Sequence, residues 1–302
     1  MDGVERNKDV YFGSSLDNVL YQLKSRSNLQ ICGGCTFLRE LPRVSLIIRN
    51  INDFKNIEKR ERYMEIGSGV TLSAIMELGE QNVPPVLFQA LNSMATPLIR
   101  NMATLGGNVC LQPVRGTLFA PLLAMDAMLE FRRGTEIITI PMNQLNELPA
   151  ASVLTKVRIP LNEWDVSLFR RVGPTWTLEE NCASYAFLAS IQKETLLDLR
   201  IAFCGILRLR SRDLENMLVG TKLPLSRNEM EDVLSTASDI FDQQVEAFFA
   251  GLSVDAGGQD VKPAACNLLG SHFSSCWPSS VDIPLLKVRF LGLLRESLNQ
   301  LI

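Results

Sequence analysis

The sequence predicts an α+β protein of two domains, for two reasons. Apolar runs with the spacing of strands are mixed along the chain with segments of helical spacing, a pattern typical of an α+β fold. The chain has 302 residues, of which 46% are apolar and 21% charged, so it can bury a sizeable core and suggests two domains. We place the first domain at residues 1–163, with lobes at about 1–55 and 56–163, and the second at 164–302.

Individual elements are assigned from hydrophobic periodicity and from the positions of glycine and proline. Residues 9–50 are predicted to form a strand, a helix, a strand at 29–32, a glycine loop and a strand at 44–49. A further strand is predicted to begin at Met64, and later strands are predicted at 128–132, 136–140, 153–159, 184–192 and 196–207. The strands at 128–132 and 136–140 form a hairpin around Arg133-Gly134. The later helices are predicted at 72–78, 86–94, 118–128, 227–241 and 283–298. Residues 252–280, rich in Gly, Ser and Pro, are predicted to be an irregular insertion.

Residues 99–108 are the most informative part of the chain, because they place adjacent glycines beside a basic residue and polar side chains. Gly106-Gly107 lets the backbone approach a ligand that a Cβ would keep away. Successive backbone N–H groups in such a turn can bind a phosphate or a diphosphate. Thr104 and Asn108 add polar side chains. Arg100 adds a positive charge, which could bind a phosphate or form a buried ion pair that orients the loop.

A second glycine pair, Gly33-Gly34, follows the strand predicted at 29–32 and precedes Cys35-Thr36. Two such loops could hold the two phosphates of one dinucleotide from opposite sides. Neither loop has the Gly-Lys-Ser/Thr of a Walker sequence. Neither has the third glycine and the downstream acidic residue of a Rossmann fingerprint. The sequence therefore predicts a nucleotide site of a different fold.

Several short motifs occur in a fixed order along nearly the whole chain. They are residues 12–17 (Phe-Gly-Ser-Ser-Leu-Asp), 33–36 (Gly-Gly-Cys-Thr), 64–71 (Met-Glu-Ile-Gly-Ser-Gly-Val-Thr), 99–101 with 103–108, 121–127 and 199–205. In these motifs the chain resembles the FAD-binding medium subunit of the molybdenum hydroxylases, the xanthine dehydrogenase group. The segment from Ile99 to Asn108 is the most specific of them.

The resemblance implies a fold and a site. The fold is a two-lobed FAD-binding domain of the PCMH (vanillyl-alcohol-oxidase-like) type, followed by a smaller α+β C-terminal domain with an antiparallel sheet and helices. Both glycine loops would bind the FAD diphosphate, and residues near Ile99 would lie toward the flavin ring. The cofactor-binding residues implied in this way are Ile31, Cys32, Gly33, Gly34, Cys35, Thr36, Phe37, Ile99, Arg100, Ala103, Thr104, Gly106, Gly107, Asn108 and Thr117.

The chain departs from the family pattern in two places. Ser or Thr and then an acidic or polar residue usually follow the first glycine pair, where this chain has Cys35-Thr36. A Ser-Asp pair usually precedes the Pro-Leu-Leu helix, where this chain has Gly116-Thr117. The second departure removes a carboxylate expected near the cofactor. FAD binding is expected, and a degenerate scaffold that has lost its flavin is the alternative.

The resemblance also implies a role in electron transfer. Hydroxylation would take place at a molybdopterin on a large partner subunit. Electrons would pass through two [2Fe–2S] clusters on a small partner subunit to FAD on this chain, and then to NAD or another acceptor. The leading hypothesis is a xanthine dehydrogenase-like subunit of purine metabolism; a hydroxylase for an aromatic acid, an aldehyde or carbon monoxide is the alternative. No catalytic acid or base is predicted on this chain, because hydride transfer from flavin N5 needs none.

Charge and hydropathy argue against two other classes of protein. The formal net charge of −3 gives no electrostatic reason to expect a nucleic-acid or membrane partner. No apolar run approaches membrane-spanning length, and residues 1–6 have no apolar signal core. We therefore expect a cytoplasmic protein.

The seven cysteines are scattered along the chain, which favours a reducing compartment over a disulfide scaffold. Cys32 and Cys35 have the spacing of a dithiol or zinc motif, but further ligands are missing, so no metal site is predicted. The single histidine, His272, is interpreted as a solvated side chain, which excludes histidine-dependent catalytic triads within this chain. Asp126 is interpreted as a structural hydrogen-bonding residue.

A basic cluster comprises Arg200, Arg208, Arg210 and Arg212. It is interpreted as a solvated edge, with a subunit contact or an acidic partner as the alternatives.

Overall fold

The computed structural model of the protein describes residues 8–38, 40–112, 114–254 and 281–301. Within them the strands form three sheets, and helices pack against these sheets. His272 and most of the predicted insertion at 252–280 lie outside the described residues. Among the described residues, no helix combines the length and the apolar character needed to cross a bilayer.

The first sheet is parallel and lies within residues 9–47, inside the predicted N-terminal lobe. Its strands, in the spatial order β1-β3-β2, are β1 (Asp9–Phe12), β2 (Gln30–Cys32) and β3 (Val44–Ile47). Helix α1 (Leu16–Ser25) connects β1 to β2, and Ser15 caps it by accepting a hydrogen bond from the Asn18 N–H at 3.2 Å. Its apolar face buries Val19 and Leu23 against the core of this lobe. The strand, helix, strand order predicted for residues 9–50 is confirmed.

The second sheet is antiparallel and contains the predicted hairpin. Its strands are β4 (Ile57–Lys59), β5 (Tyr63–Gly67), β6 (Met128–Arg133), β7 (Glu136–Pro141) and β8 (Val153–Pro160), in the order β4-β5-β8-β6-β7. Gly134 turns the β6–β7 hairpin with a φ of +58°, a value that favours glycine. Strand β4 was not predicted, because three residues with one apolar side chain carry no periodicity.

Five short helices lie between β5 and β6 in the sequence. They are α2 (Leu72–Met76), α3 (Pro85–Asn92), α4 (Pro97–Arg100), α5 (Leu105–Val109) and α6 (Phe119–Ala124). Every residue of α6 is buried, and α2, α3, α5 and α6 contribute to the largest core. This compact helical layer connects the second sheet to the third.

The third sheet is antiparallel, with the strand order β12-β11-β10-β9. Its strands are β9 (Val166–Val172), β10 (Ala183–Gln192), β11 (Thr195–Cys204) and β12 (Arg208–Leu209). The helices that follow are α7 (Arg212–Leu218), α8 (Arg227–Val254) and α9 (Ile283–Leu298). Helix α8 extends well beyond the predicted 227–241, and β9 was not predicted, because Arg170-Arg171 interrupts its apolar pattern.

Strand β10 connects two cores, because successive side chains of a strand point to opposite faces. Ala186 and Leu188 belong to the core shared with α3 and α6, and Tyr185 and Phe187 belong to the core under α8 and α9. This double burial explains why β10 is nearly continuous in apolar residues. The change of sheet between β8 and β9 is compatible with a domain boundary near residue 163, which stays a prediction.

The interpretation of the basic cluster as a solvated edge was wrong for Arg210. Arg210 is 5% exposed, and its guanidinium contacts the Glu215 carboxylate at 3.0 Å and the Asp126 carboxylate at 2.7 Å. Arg200 and Arg212 also pair with Asp126, at 3.4 and 3.3 Å. Asp126 therefore has the predicted structural role and holds the end of α6 against the third sheet.

We predict that Asp126→Asn destabilises the protein by about 1–3 kcal/mol at pH 7, because it removes a charged acceptor from a half-buried network. Burial opposes ionisation of Asp126, but the hydrogen bond from Arg210 and the charges of Arg210, Arg212 and Arg200 outweigh it and lower the pKa of the carboxyl. The pKa of Asp126 is lower in the folded state than the value of about 4 in the unfolded state, so the ionised carboxylate stabilises the folded protein above that unfolded-state pKa. This stabilisation is lost as the pH falls through the folded-state pKa. Denaturant unfolding should show a difference that is constant from pH 7 to 5 and shrinks in more acidic solution.

Glu136→Gln is the matched control, because the Glu136 carboxylate pairs with Arg133 at the surface, where its side chain is 54% exposed. This variant should change stability by at most about 0.5 kcal/mol. Equal effects of the two variants would contradict the structural role of Asp126.

Candidate functional site

A cleft of about 910 Å³ lies between the first two sheets, within the range of pockets that bind small molecules and cofactors. The first lobe contributes residues 23–38 together with 48–51 and Lys55. The predicted second lobe contributes chiefly residues 101–104, 106–108, 110–112 and 148–154. Both glycine pairs therefore line the same cleft.

The first glycine loop presents a row of backbone donors. Among the described residues, none accepts a hydrogen bond from the N–H groups of Gly33, Gly34, Cys35 or Thr36. Cys35 has a φ of +54°, in the left-handed region. Successive N–H groups in such a turn converge on one point and bind anions. The N–H groups of residues 33–36 are the donors of the nest that the sequence predicts, and this loop is called the nest below; its binding of an anion stays a prediction.

The two glycine loops touch each other. A Cβ on Gly34 would lie 1.9 Å from the carbonyl oxygen of Met102, and one on Gly33 would lie 2.9 Å from the Thr104 hydroxyl. Only a residue without a side chain permits the contact at Gly34. The loops therefore form one continuous stretch of the cleft wall, rather than two walls facing each other as expected.

The second glycine pair is not a nest, and this expectation was wrong. Gly106 and Gly107 lie in helix α5, not in a turn, and Thr104 caps this helix by accepting a hydrogen bond from Gly107 N–H at 3.1 Å. The N–H groups of Leu105 and Gly106 donate to the carbonyl oxygens of Val70 and Ser68. These N–H groups already donate hydrogen bonds within the protein. The second glycine pair therefore lets a ligand come close to the backbone but does not offer it a free backbone donor.

Asn108 lies in the same helix as the second glycine pair and is one of the residues that line the cleft. Its side-chain oxygen accepts a hydrogen bond from the Leu118 N–H at 3.0 Å, which fixes the orientation of the amide. The residue is 9% exposed and lines the cleft, and no described residue accepts a hydrogen bond from its NH₂ group. Asn108 is therefore a side-chain donor beside the second glycine pair.

The electrostatic character of the cleft is opposite to that of the whole protein. Among the described lining residues, Lys24, Arg26, Arg49 and Lys55 are cationic, and none is Asp or Glu. The whole chain has a formal net charge of −3. A concave surface with charges of one sign focuses the field and favours an anionic ligand.

Two buried polar side chains of the cleft lack a protein partner. The Ser68 hydroxyl and the Gln112 amide nitrogen are buried, and neither has a hydrogen-bond partner among the described residues. Buried polar groups are nearly always hydrogen-bonded, so these two groups could bond to a ligand in the cleft. Unpaired buried atoms also occur outside it, as at the hydroxyls of Ser167 and Tyr185. The nest, the glycine surface and these donors fit a dinucleotide with several oxygen acceptors.

The cysteines of the cleft have the properties of packed thiols, not of a reactive dithiol. Burial and the neighbouring Cys35 raise the pKa of Cys32 to about 11, and burial raises the pKa of Cys35 as well. Burial raises the pKa of Cys110 to about 12. A reactive thiol has a lowered pKa. In the part of the chain that the structure describes, no three His, Cys, Asp or Glu residues are placed to hold a metal ion.

The structure brings most of the predicted site residues to the cleft. Those that line it are Ile31, Cys32, Gly33, Gly34, Cys35, Thr36, Phe37, Ala103, Thr104, Gly106, Gly107 and Asn108. Ile99, Arg100 and Thr117 do not. The Arg100 guanidinium donates to the carbonyl oxygens of Met94 and Ala95, both at 2.8 Å, and thus stabilises the turn before α4. Thr117 is 4% exposed, and its hydroxyl accepts a hydrogen bond from Arg171.

Sequence reasoning missed Ser68, Gln112 and the four cations. Ser68 was within a recognised motif, but nothing in a motif shows that a hydroxyl lacks a partner. The cations lie at the ends of α1 and β3 and on the following loop, and only the folded lobe brings them to one surface.

A family model described as the FAD binding domain in molybdopterin dehydrogenase matches residues 6–162. This match spans half of the 302 residues, so the chain belongs to this family. The resemblance to the FAD-binding subunits of molybdenum hydroxylases, inferred from the motifs, is confirmed.

Two curated relatives and one solved structure extend the comparison. The chain is 25% identical over 246 residues to the nicotinate dehydrogenase FAD-subunit of Eubacterium barkeri, covering 73% of this chain and 81% of the relative. It is 30% identical over 127 residues to the xanthine dehydrogenase FAD-binding subunit of Escherichia coli O157:H7, covering 39% and 44%. A chain of carbon monoxide dehydrogenase from Hydrogenophaga pseudoflava has a similar fold, with a TM-score of 0.72, 15% identity and coverage of 97% and 96%.

We predict that Gly107→Val abolishes FAD retention and leaves the fold intact. In the protein, a Cβ at Gly107 would meet only the Thr104 hydroxyl, at 3.0 Å, so the larger side chain extends into the cleft. The bound FAD per protein, measured by absorbance after gel filtration, should fall by at least about tenfold.

Gly292→Val is the matched control. Gly292 also lies in a helix, α9, and a Cβ there would meet nothing within 4 Å. This variant should retain FAD like the wild type. Unchanged FAD stoichiometry in Gly107→Val would contradict the assigned cleft.

Proposed function

We propose that this chain binds FAD in the cleft as the flavoprotein subunit of a molybdenum hydroxylase. The observation that carries the proposal is the first glycine loop: four successive backbone donors, unpaired among the described residues, in a cleft with four cations and no described carboxylate. A diphosphate is the part of a dinucleotide that this combination of dipoles and charges binds best.

The residues of this chain would divide the work of binding. Gly33, Gly34, Cys35 and Thr36 donate backbone hydrogen bonds to phosphate oxygens. Gly106-Gly107 lets the ligand lie close to the backbone, and Asn108 donates from its side chain. The apolar lining residues Ile31, Phe37, Leu111 and Phe131 are suited to the flat rings at the ends of the cofactor.

When bound, FAD would accept electrons from iron–sulfur clusters and deliver them to NAD or another acceptor. The chain's own contribution would be to hold the cofactor in place and to exclude water from it. This assignment includes two partners: a molybdopterin-binding large subunit, where the substrate is hydroxylated, and a small subunit with [2Fe–2S] clusters.

For the whole complex we favour a xanthine dehydrogenase-like activity, and a related hydroxylase is the second candidate. The nicotinate and xanthine dehydrogenase relatives support this choice of class, because both are named for nitrogen-containing aromatic substrates. The substrate pocket would lie on the large partner subunit, so an assay of the purified complex decides between them.

The flavin-free scaffold is less well supported. It was suggested by Gly116-Thr117, which replaces an expected carboxylate. Thr117 is buried outside the cleft lining and bonded to Arg171. The replacement therefore removes no group from the cleft.

Binding of FAD and of ADP to the apoprotein tests the proposal, and the cations provide a specific variant. We predict that Arg49→Gln/Lys55→Gln weakens binding of both ligands about tenfold in 50 mM salt and less in 0.5 M salt, because salt screens charge interactions. Riboflavin, which has no phosphate, should be unaffected. Isothermal titration calorimetry measures each dissociation constant.

Lys59→Gln/Arg60→Gln is the charge-matched control. These side chains lie outside the cleft lining, where they contact Asn82 and Glu58. The control should bind FAD and ADP like the wild type. A wild-type apoprotein that binds neither ligand would overturn the proposed function.

A further inference from the structure

Ser68 is held rigidly beside the second glycine pair. It follows directly after β5, its N–H donates to the Thr155 carbonyl oxygen at 2.9 Å, and its own carbonyl oxygen accepts from Gly106 N–H at 2.8 Å. A Cβ on Gly106 would lie 2.7 Å from the Ser68 Cβ, so the side chain is in contact with the glycine surface. Both backbone groups of Ser68 are therefore bonded within the protein, and its hydroxyl is the group that remains available for a further hydrogen bond.

That hydroxyl has no partner in the protein. Ser68 is 4% exposed and is one of the residues that line the cleft, and no described residue forms a hydrogen bond with its hydroxyl. Leaving a buried hydroxyl unpaired is unfavourable. Two other buried serines differ: the hydroxyl of Ser45 donates to the Pro42 carbonyl oxygen at 2.7 Å and that of Ser184 to the Cys204 carbonyl oxygen at 3.2 Å.

We propose that the Ser68 hydroxyl is a positioning group that donates a hydrogen bond to the diphosphate of the bound dinucleotide. This inference rests on the proposed function. The contact of Gly33 and Gly34 with residues 102–104 brings the backbone donors of the first loop to the same stretch of wall as Gly106. In this proposal the ligand oxygens nearest Ser68 are those that the nest binds.

The proposal has a signature that a structural role does not share. Ser68→Ala removes a hydroxyl that has no protein partner, so the apoprotein should be as stable as the wild type or more stable. The same change should weaken ligand binding, because the donor to the phosphate is lost. Ser184→Ala, at a serine that is 1% exposed and already bonded, should do the opposite: it lowers the stability of the apoprotein and leaves ligand affinity unchanged.

The experiment measures both quantities for the full chain as apoprotein. We expect Ser68→Ala to raise the dissociation constants of FAD and of ADP by the same factor, about tenfold, equal to about 1.4 kcal/mol. The thermal midpoint of the apoprotein should be unchanged or higher. Ser68→Cys, which replaces a strong donor by a weak one of similar size, should show the same loss and serves if the alanine variant does not fold.

Each other outcome overturns the proposal in a recognisable way. Weaker binding of FAD with unchanged binding of ADP would place the hydroxyl at the flavin end. Unchanged binding of both ligands, or a lower thermal midpoint with no change in affinity, would make Ser68 a structural residue. Wild-type protein that binds neither ligand would instead refute the proposed function itself.

Discussion

The close contact between the two glycine loops is the constraint on which the site depends. At Gly34 the backbone of the first loop approaches the Met102 carbonyl oxygen so closely that a Cβ would lie 1.9 Å from it. This contact joins a loop from the parallel sheet to the segment before α5 and brings both glycine pairs to one surface. A side chain at Gly34 would force the lobes apart, and the nest, the cations and Asn108 would no longer line a single cleft.

The two glycine loops have similar sequences but contribute differently to the site. The first glycine pair offers backbone donors, because no described residue uses them. The second uses its donors to cap α5 and to join it to residues 68–70, so it supplies a rigid, side-chain-free surface. Binding then combines a glycine surface fixed by hydrogen bonds with backbone donors that no described residue uses. Preorganisation of this kind favours affinity.

Much of the fold follows from local sequence, and most of the site does not. The hairpin at Gly134, helix α1 and the order of the first lobe were predictable from periodicity and turn chemistry. Two of the corrections concern residues whose partners are distant: Arg210 meets Asp126 across 84 positions, and Thr117 meets Arg171 across 54. Sequence motifs identified the segments where the backbone can approach a ligand. Whether a backbone N–H, such as that of Gly106, already has a hydrogen-bond partner depends on the folded chain.

Amide hydrogen exchange tests the central claim most directly, because it reports each backbone donor separately. In the apoprotein the amides of Gly33 to Thr36 should exchange rapidly and those of Leu105 and Gly106 slowly. Addition of ADP should protect the first group and leave the second unchanged. Protection of residues 33–36 before ligand is added, or ADP-dependent protection confined to Leu105 and Gly106, would contradict the account.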